Sequence, residues 1–365
     1  MSSADPAQTK ILNTAFEAVK LNAFYMKRSM DSGDVDETIK FATEMLSELR
    51  SNTLFPKYYY QLYLHIANEM RELEEFFSSL QRDGEMRMTD LYEKVQGCGQ
   101  VVPRLYLMCC VGGVYIASQE IPAKDVLKDM VDMVKGVQHP MRGLFVRYYL
   151  TQITKDKLPD IGSPYEGAGG SVQDACSFIL QNFIETNRLW IRLMTHGGKQ
   201  DKKKKELERQ DLSILVGTSL VRLSQLEGLD IIEYKENLLP SLLDEIVNCK
   251  DTLAQTYLMD VIINVFPDEF HIATLSIFLN AIIKLKEKVN IKNILESLVS
   301  RLSEYISNSG SEVISPEINA FKLFNDCVKT LIEGRTNMTL VATLNLQTVL
   351  TDFALKCYNG KNEYV

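Results

Sequence analysis

Apolar residues recur at helical spacing along nearly the whole chain. In the two clearest stretches they follow the i, i+3, i+4, i+7 spacing, which places them on one side of a helix. The first stretch contains Leu253, Ala254, Tyr257, Leu258, Val261, Ile262 and Val265, and the second Ile291, Ile294, Leu295, Leu298, Val299, Leu302, Tyr305 and Ile306. Convincing period-two alternation, the pattern of a half-buried strand, is absent. The chain is therefore predicted to be all-α.

Helix boundaries carry the chemistry that starts helices. Asp5 before Pro6 offers a side-chain cap followed by proline at the first helical position, and Asp34 with Glu37 resembles a capping box. Between such marks we expect about fourteen helices joined mostly by short links. Short links make successive helices antiparallel neighbours. Because helix pairs recur about every 40 residues, we predict a HEAT-like α-solenoid.

Three polar or glycine-rich stretches interrupt the helical pattern, near residues 160–171, 197–205 and 307–315. The first is expected to be a flexible loop. None requires a separate domain, because a solenoid propagates through packing between neighbouring repeats. Residues 1–365 are thus predicted to form one continuous solenoid segment.

Composition and charge exclude several classes of protein. The formal net charge is −8 and no extended basic stripe runs along the chain, so nucleic-acid binding has little support. Lys202–Lys205 is followed directly by acidic residues and is interpreted as a solvated helix start or loop. Seven cysteines without a C-x-x-C pair and a polar N-terminus without an apolar signal core predict a cytoplasmic protein.

No motif with catalytic or cofactor chemistry stands out. Glycine clusters at 97–99 and 167–170 lack the phosphate-binding patterns and are interpreted as turns. Asp268 and Glu269 precede His271, but acids in a first helical turn are favoured by the helix dipole. We therefore expect no catalytic, cofactor or metal site, and not an enzyme. A helical enzyme would need His139 or His271 to meet acids in an enclosed pocket.

The most distinctive segment is Val101–Ala117, which is apolar apart from Arg104 and tyrosine hydroxyls. It falls just short of a membrane span, and a helix apolar on all sides is usually buried between neighbours. One side is expected to pack on the rod, and the other to present Leu107 beside Arg104 to a partner. The alternative is a core helix with one arginine reaching the surface.

At Pro103-Arg104-Leu105-Tyr106-Leu107 the chain resembles a known family, vacuolar protein sorting-associated protein 35, the large α-solenoid subunit of retromer. Similar blocks follow in the family's order, from about residue 20 to 307. They include residues 136–145 (GVQHPMRGLF), 147–150 (RYYL), 158–160 (LPD), 210–218 (QDLSILVGT), 220–228 (LVRLSQLEG) and 266–271 (FPDEFH). Family members are considerably longer, so the chain is expected to correspond to their N-terminal portion, without their C-terminal half.

The resemblance implies a scaffold of the endosomal coat that carries transmembrane cargo in retrograde and recycling transport. Pro103, Arg104, Leu105, Tyr106 and Leu107 would form or support the docking surface for the arrestin-like retromer subunit. Val111, His139 and Arg142 would support that surface, with a structural role for Arg142 preferred over a contact role.

The resemblance also implies further partners. Sorting nexins and a late-endosomal Rab GTPase would recruit the assembly, and the metallophosphoesterase-fold subunit would bind the absent C-terminal half. The protein would be cytoplasmic and peripheral on the endosomal membrane through these partners, with no cofactor and no nucleic acid. The alternative is a helical-repeat adaptor of another transport pathway.

We also expect an exposed apolar face near the end of the chain, around Leu344, Val349, Leu350 and Phe353.

Overall fold

In the computed structural model, which describes residues 5–195, 202–309, 319–335 and 338–357, every regular element is helical. The chain divides into two compact units, Met1–Gly228 and Leu229–Val365. The prediction of an all-α, solenoid-like fold is confirmed. That residues 1–365 form one continuous solenoid stays a prediction.

The first unit contains ten α-helices in its described residues. They are α1 (Pro6–Asp31), α2 (Val35–Ser47), α3 (Pro56–Arg82), α4 (Met88–Gln96), α5 (Val101–Ser118), α6 (Ala123–Val134), α7 (Pro140–Ile153), α8 (Val172–Arg192), α9 (Lys202–Asp211) and α10 (Ser213–Ser224). A 3-10 turn at Glu48–Arg50 follows α2. The cap predicted at Asp5 is present, since its carboxylate accepts from the amides of Ala7 and Gln8. Asp34 caps α2 by accepting from the amide of Glu37, but the predicted capping box is only half formed, since the Asp34 amide donates to the Ser29 carbonyl at 3.0 Å and not to Glu37.

The second unit has eight α-helices in the residues that the structure describes. They are α11 (Ile231–Glu233), α12 (Leu239–Asn248), α13 (Thr252–Val265), α14 (Asp268–Ala273), α15 (Leu275–Ile283), α16 (Ile291–Ser309), α17 (Ala320–Gly334) and α18 (Leu340–Cys357). A π-helical turn, Tyr234–Leu238, joins α11 to α12. The helices are more numerous and several are shorter than the apolar pattern predicts, because short turns interrupt stretches such as residues 268–283.

In the first unit α5 occupies the centre of the packing. It contacts α2, α3, α4, α6 and α7. Within the described residues it is also the one helix long and apolar enough to cross a membrane, yet 78% of that apolar window is buried. A helix covered by neighbours on every side needs no polar face. The prediction that Val101–Ala117 is a buried helix is therefore confirmed.

The loop at 160–171 has defined contacts. Asp160 forms an ion pair with Arg222 at 3.2 Å, and the amide of Ile161 donates to the carbonyl of Glu227 at 3.1 Å. Gly167 and Gly170 pair their backbones within a tight turn. The flexibility predicted for this loop stays a prediction. The other two breaks, near 197–205 and 307–315, lie partly outside the described residues, which leave out 196–201 and 310–318.

Near the end of the chain, the expected exposed apolar face is partly wrong. Leu344 is 57% exposed, but Val349, Leu350 and Phe353 are buried. The three buried residues lie on a helix that packs against α16 and α17. The exposed side of α18 instead carries Leu340, Val341 and Leu355 together with Leu344.

Candidate protein-docking site

The segment that carries the resemblance forms the first turns of α5. Gln100 precedes the helix, and its carbonyl accepts from the amide of Arg104 at 3.0 Å, the first backbone bond of the helix. Pro103 lies within the first turn, where an amide would have no helical partner, so proline is tolerated there and fixes the entry of the chain. The helix therefore begins here for two reasons. The Gln100 carbonyl and Pro103 suit a first helical turn, and the apolar residues that follow are covered by neighbouring helices.

The orientation predicted for Leu107 is wrong. Leu107 and Val111 have no exposed surface, and Leu105 and Tyr106 are 5% and 1% exposed. Pro103 is buried as well, whereas Arg104 is half-buried. Five helices surround α5, so no side of it between Leu105 and Ile116 is left for a partner. The alternative of a core helix with one arginine reaching the surface describes this segment better.

What reaches the surface is the start of the helix. Val101 is 49% exposed and Arg104 half-buried, one turn apart. The residues that follow on α5, from Leu105 to Val111, are buried. A partner at this site would meet the end of the helix rather than its side.

A short loop joins the starts of α5 and α7. The Arg50 guanidinium donates to Gln100 Oε1 at 3.0 Å, which ties the loop after α2 to the start of α5. Arg142, in the first turn of α7, donates to the Arg50 carbonyl and to Asn52 Oδ1. His139 caps α7, since its Nδ1 accepts from the Arg142 amide at 3.4 Å. We call the surface formed by residues 50–55, 100–104 and 138–142 the rim.

The predicted supporting residues therefore belong to two different layers. His139 and Arg142 lie at the rim with the start of α5, and Arg142 has the structural role that the sequence favours. Val111 has no exposed surface and lies about two turns beyond Arg104 on α5, in the core. Arg50, Asn52 and Gln100 were missed, because no motif marks them and they join the rim only through tertiary contacts.

Beneath the rim lies an aromatic cluster that includes Tyr106. The Tyr59 hydroxyl donates to the Leu49 carbonyl at 2.7 Å, and its ring lies 4.9 Å from that of Phe145. The Tyr106 ring lies 5.2 Å from that of Tyr149 and 6.5 Å from that of Tyr63. Burial holds the pKa of Tyr106 well above its usual value, so its hydroxyl stays neutral. Tyr106 therefore acts as a packing residue of this cluster.

The sequence motif around His271 has a structural explanation. Arg301 donates to Asp268 and to the carbonyls of Ile263 and Phe266, so the acid is already paired. His271 is 2% exposed and its Nε2 lies 3.1 Å from the Ile263 carbonyl oxygen. Burial, with the neighbouring Arg301 charge, lowers the pKa of His271 to about 4. The described residues contain no group of three or more His, Cys, Asp and Glu that suits a metal ion.

Comparison with known proteins extends the resemblance over most of the chain. Residues 11–365 match the model of a family described as vacuolar protein sorting-associated protein 35. The match reaches beyond both ends of the range from 20 to 307 expected from the motifs. The last part of the chain is thus included in the family match.

Individual relatives agree with this match. Vacuolar protein sorting-associated protein 35C of Arabidopsis thaliana is 45% identical over 357 residues, covering 98% of this chain and 45% of the relative. Vacuolar protein sorting-associated protein 35 of Dictyostelium discoideum is 43% identical over 356 residues, with the same coverage. Its counterpart in Schizosaccharomyces pombe is 32% identical over 402 residues, covering all of this chain and 48% of the relative. The chain therefore spans a little under half the length of these curated relatives.

Proposed function

Because the chain belongs to the vacuolar protein sorting-associated protein 35 family, we propose that it is a scaffold portion of the retromer coat and not an enzyme. It binds the arrestin-like retromer subunit at the rim, and the assembly carries transmembrane cargo from endosomes in retrograde and recycling transport. The observation that carries this proposal is the start of α5. There Arg104 of the motif that resembles the family's docking segment is half-buried at the surface, one turn from the exposed Val101 that precedes the motif.

Some residues of the motif contact the partner, and the others support the first turn of α5. Arg104 supplies hydrogen-bond donors that tolerate partial desolvation, which suits an interface. Pro103 sets the angle at which the chain enters the helix. Leu105, Tyr106 and Leu107 are buried where α5 packs against its neighbouring helices, and they support the first turn of α5 from the core. Their replacement would weaken partner binding through the fold.

The remaining partners follow from the same family membership. Sorting nexins and a late-endosomal Rab GTPase recruit the assembly, so the membrane contact is peripheral and made by partners. Binding of the metallophosphoesterase-fold subunit is assigned to the C-terminal half of the family, and this chain covers 45% of the length of the Arabidopsis thaliana relative 35C. The protein acts in the cytoplasm on the endosomal surface.

The test is binding of the purified arrestin-like subunit, followed by size-exclusion chromatography and titration calorimetry. Val101→Glu and Arg104→Glu place a carboxylate at the rim, and each is expected to weaken binding by at least about tenfold. Val341→Glu is a matched control, because Val341 lies in the first turn of α18 and is 67% exposed. Circular dichroism should show wild-type helicity for all three variants.

Two results would count against the proposal. One is the absence of a complex between the wild-type chain and the arrestin-like subunit. The other is wild-type affinity in both rim variants, which would place the partner elsewhere on the chain.

A further inference from the structure

Positive charge gathers at the rim of a chain whose formal net charge is −8. The side chains concerned come from four elements and the loop after α2. They are Arg50, Arg104, Arg142, Arg192 and Lys204, which we call the basic rim. Along the sequence they are up to about 150 residues apart, so only folding brings them together.

The start of α9 lies against the loop that carries Arg50. Lys204 Nζ is 4.5 Å from the centroid of the Phe55 ring, a cation–π contact. Phe55 immediately precedes α3, and α3 packs against α9. The Lys202–Lys205 run is therefore part of a helix at the rim. The solvated helix start that the sequence predicts is located next to the proposed docking site.

The end of α8 extends the same surface past α7. Arg192 Nη1 donates to Gln138 Oε1 at 3.1 Å, and Gln138 directly precedes the His139 cap of α7. Arg192 and Lys204 are both exposed. The basic rim thus runs from Arg192, past Arg142 and Arg50, to the start of α5, with Lys204 beside the loop.

Three of the four guanidinium groups of the basic rim are held by neutral oxygens. Arg50 donates to a glutamine amide, Arg142 to a carbonyl and an asparagine amide, and Arg192 to a glutamine amide. Among the described residues no carboxylate oxygen lies within 4.0 Å of these three groups, whereas Lys27, Lys157 and Arg222 all form such ion pairs. Neutral partners fix the geometry of a guanidinium and leave its charge uncompensated.

Helices α5 and α7 carry no carboxylate, and those of the other elements are Glu48, Asp174 and Glu185 on α8, and Glu206, Glu208 and Asp211 on α9. Glu185 forms an ion pair with Arg188 at 2.9 Å. Glu48 is half-buried, and burial raises its pKa. Glu208 lies one turn from Lys204 on α9, and burial raises its pKa although Lys204 opposes that shift. Glu206 is exposed on the same helix. The rim therefore keeps a local excess of positive charge.

From this arrangement we propose that the basic rim recognises an acidic, carboxylate-rich segment of the arrestin-like subunit, next to the contact made by Val101 and Arg104. This inference rests on the proposed function, and it adds the chemistry of the surface that the arrestin-like subunit presents. Planar guanidinium groups in fixed positions suit paired carboxylates, and an exposed lysine run beside them accelerates encounter through the electrostatic field. An anionic membrane is the less favoured ligand, because the exposed apolar residues beside these charges, Val101 and Leu207, lie on two different helices, α5 and α9, and do not form the continuous apolar face of a membrane-binding helix.

The test compares affinities at two ionic strengths. Binding of the purified arrestin-like subunit is measured at about 50 mM and about 300 mM NaCl, between which the Debye length shrinks by more than half. The wild-type dissociation constant should rise about tenfold between the two conditions. The double variant Arg192→Glu/Lys204→Glu should bind at least about tenfold more weakly at low salt and lose most of that salt dependence.

The control carries the same charge change elsewhere. Lys128→Glu/Lys235→Glu alters two exposed lysines on α6 and on the π-helical turn, and it should keep the wild-type affinity and salt dependence. A parallel sedimentation assay uses vesicles containing phosphatidylserine.

Three results would contradict the basic rim as a carboxylate-binding surface. A wild-type chain that binds the subunit, with both double variants equal to it in affinity and salt dependence, overturns the basic rim and leaves the proposed function standing. If the rim variant loses only vesicle binding, the surface is a membrane contact and the inference is wrong. A wild-type chain that forms no complex at either salt concentration removes the proposed function, and the inference with it.

Discussion

Helices α5 and α18 are both 18 residues long and predominantly apolar, yet the fold treats them differently. Beyond its first turns α5 is buried on every side as far as Ile116. In contrast, α18 buries Leu346, Leu350 and Phe353 but leaves Leu340 and Leu344 exposed by 75% and 57%. Five helices cover α5, whereas α18 packs on α16 and α17. Apolar composition therefore marks both helices as packing elements but does not show how many sides are covered.

The largest expected effect is that of a charge placed in the middle of α5. Leu107→Asp would put a carboxylate at a position with no exposed surface, and we expect it to lower the free energy of unfolding by roughly 5 kcal/mol. Urea unfolding followed by circular dichroism measures the change. Leu107→Met, which conserves volume, is the control and should cost less than about 1.5 kcal/mol.

Leu107→Asp also distinguishes a Leu107 side chain that faces a partner from one that lies in the core. A side chain that faced a partner, as the sequence predicts, would give a folded variant without partner binding. A side chain in the core gives an unstable variant. A wild-type unfolding midpoint together with lost binding would contradict the burial of Leu107.

Cysteine reactivity compares the two helices directly. Cys109 and Cys110 lie in the buried part of α5, and burial raises the pKa of Cys109 to about 12. Cys357, at the end of α18, is half-buried, and burial raises its pKa as well. Because the thiolate is the reactive form, we expect the α5 thiols to be alkylated at least about 100-fold more slowly than Cys357 in the native protein.

Iodoacetamide labelling at pH 8, resolved by mass spectrometry of tryptic peptides, measures these rates. Labelling in urea is the control, and there the alkylation rates of the three cysteines should be similar. Equal labelling of Cys109 and Cys357 without denaturant would show that the cover over α5 opens readily.

A smaller effect is expected from a methyl group added to the helices that pack on α5 and α18. A Cβ at Gly143, on α7, would lie 2.6 Å from the Val137 carbonyl oxygen and 2.7 Å from Leu189 Cδ1. Gly143→Ala should therefore destabilise the protein by about 1–3 kcal/mol. At Gly334, the last residue of α17, an added Cβ would have no described atom within 4 Å outside the adjoining backbone, and Gly334→Ala should be neutral or stabilising by up to about 1 kcal/mol. Thermal unfolding of the two variants checks the contrast, which equal shifts would contradict.

The sequence predicted helix type and position well because both depend on local signals. The apolar stripes and the caps at Asp5 and Asp34 are such signals, and the structure confirms them. It predicted the buried nature of α5 from composition, but it placed Leu107 outward because helical spacing distinguishes the sides of a helix without showing which neighbours cover them. Arg50 and Gln100 could not be found from sequence, since their 3.0 Å hydrogen bond joins residues fifty positions apart.

The smallest expected effect completes the comparison. Leu344→Asp introduces on α18 the same change as Leu107→Asp on α5, but at a side chain that is 57% exposed. A carboxylate there keeps most of its hydration, so the free energy of unfolding should change by no more than about 0.5 kcal/mol. Thermal and urea unfolding beside the wild type measure this difference. A loss of several kcal/mol would mean that the exposed side of α18 is covered in solution, and the contrast between the two helices would then disappear. Because both variants replace leucine by aspartate within an 18-residue apolar helix, the ratio of their effects measures coverage by neighbours rather than composition.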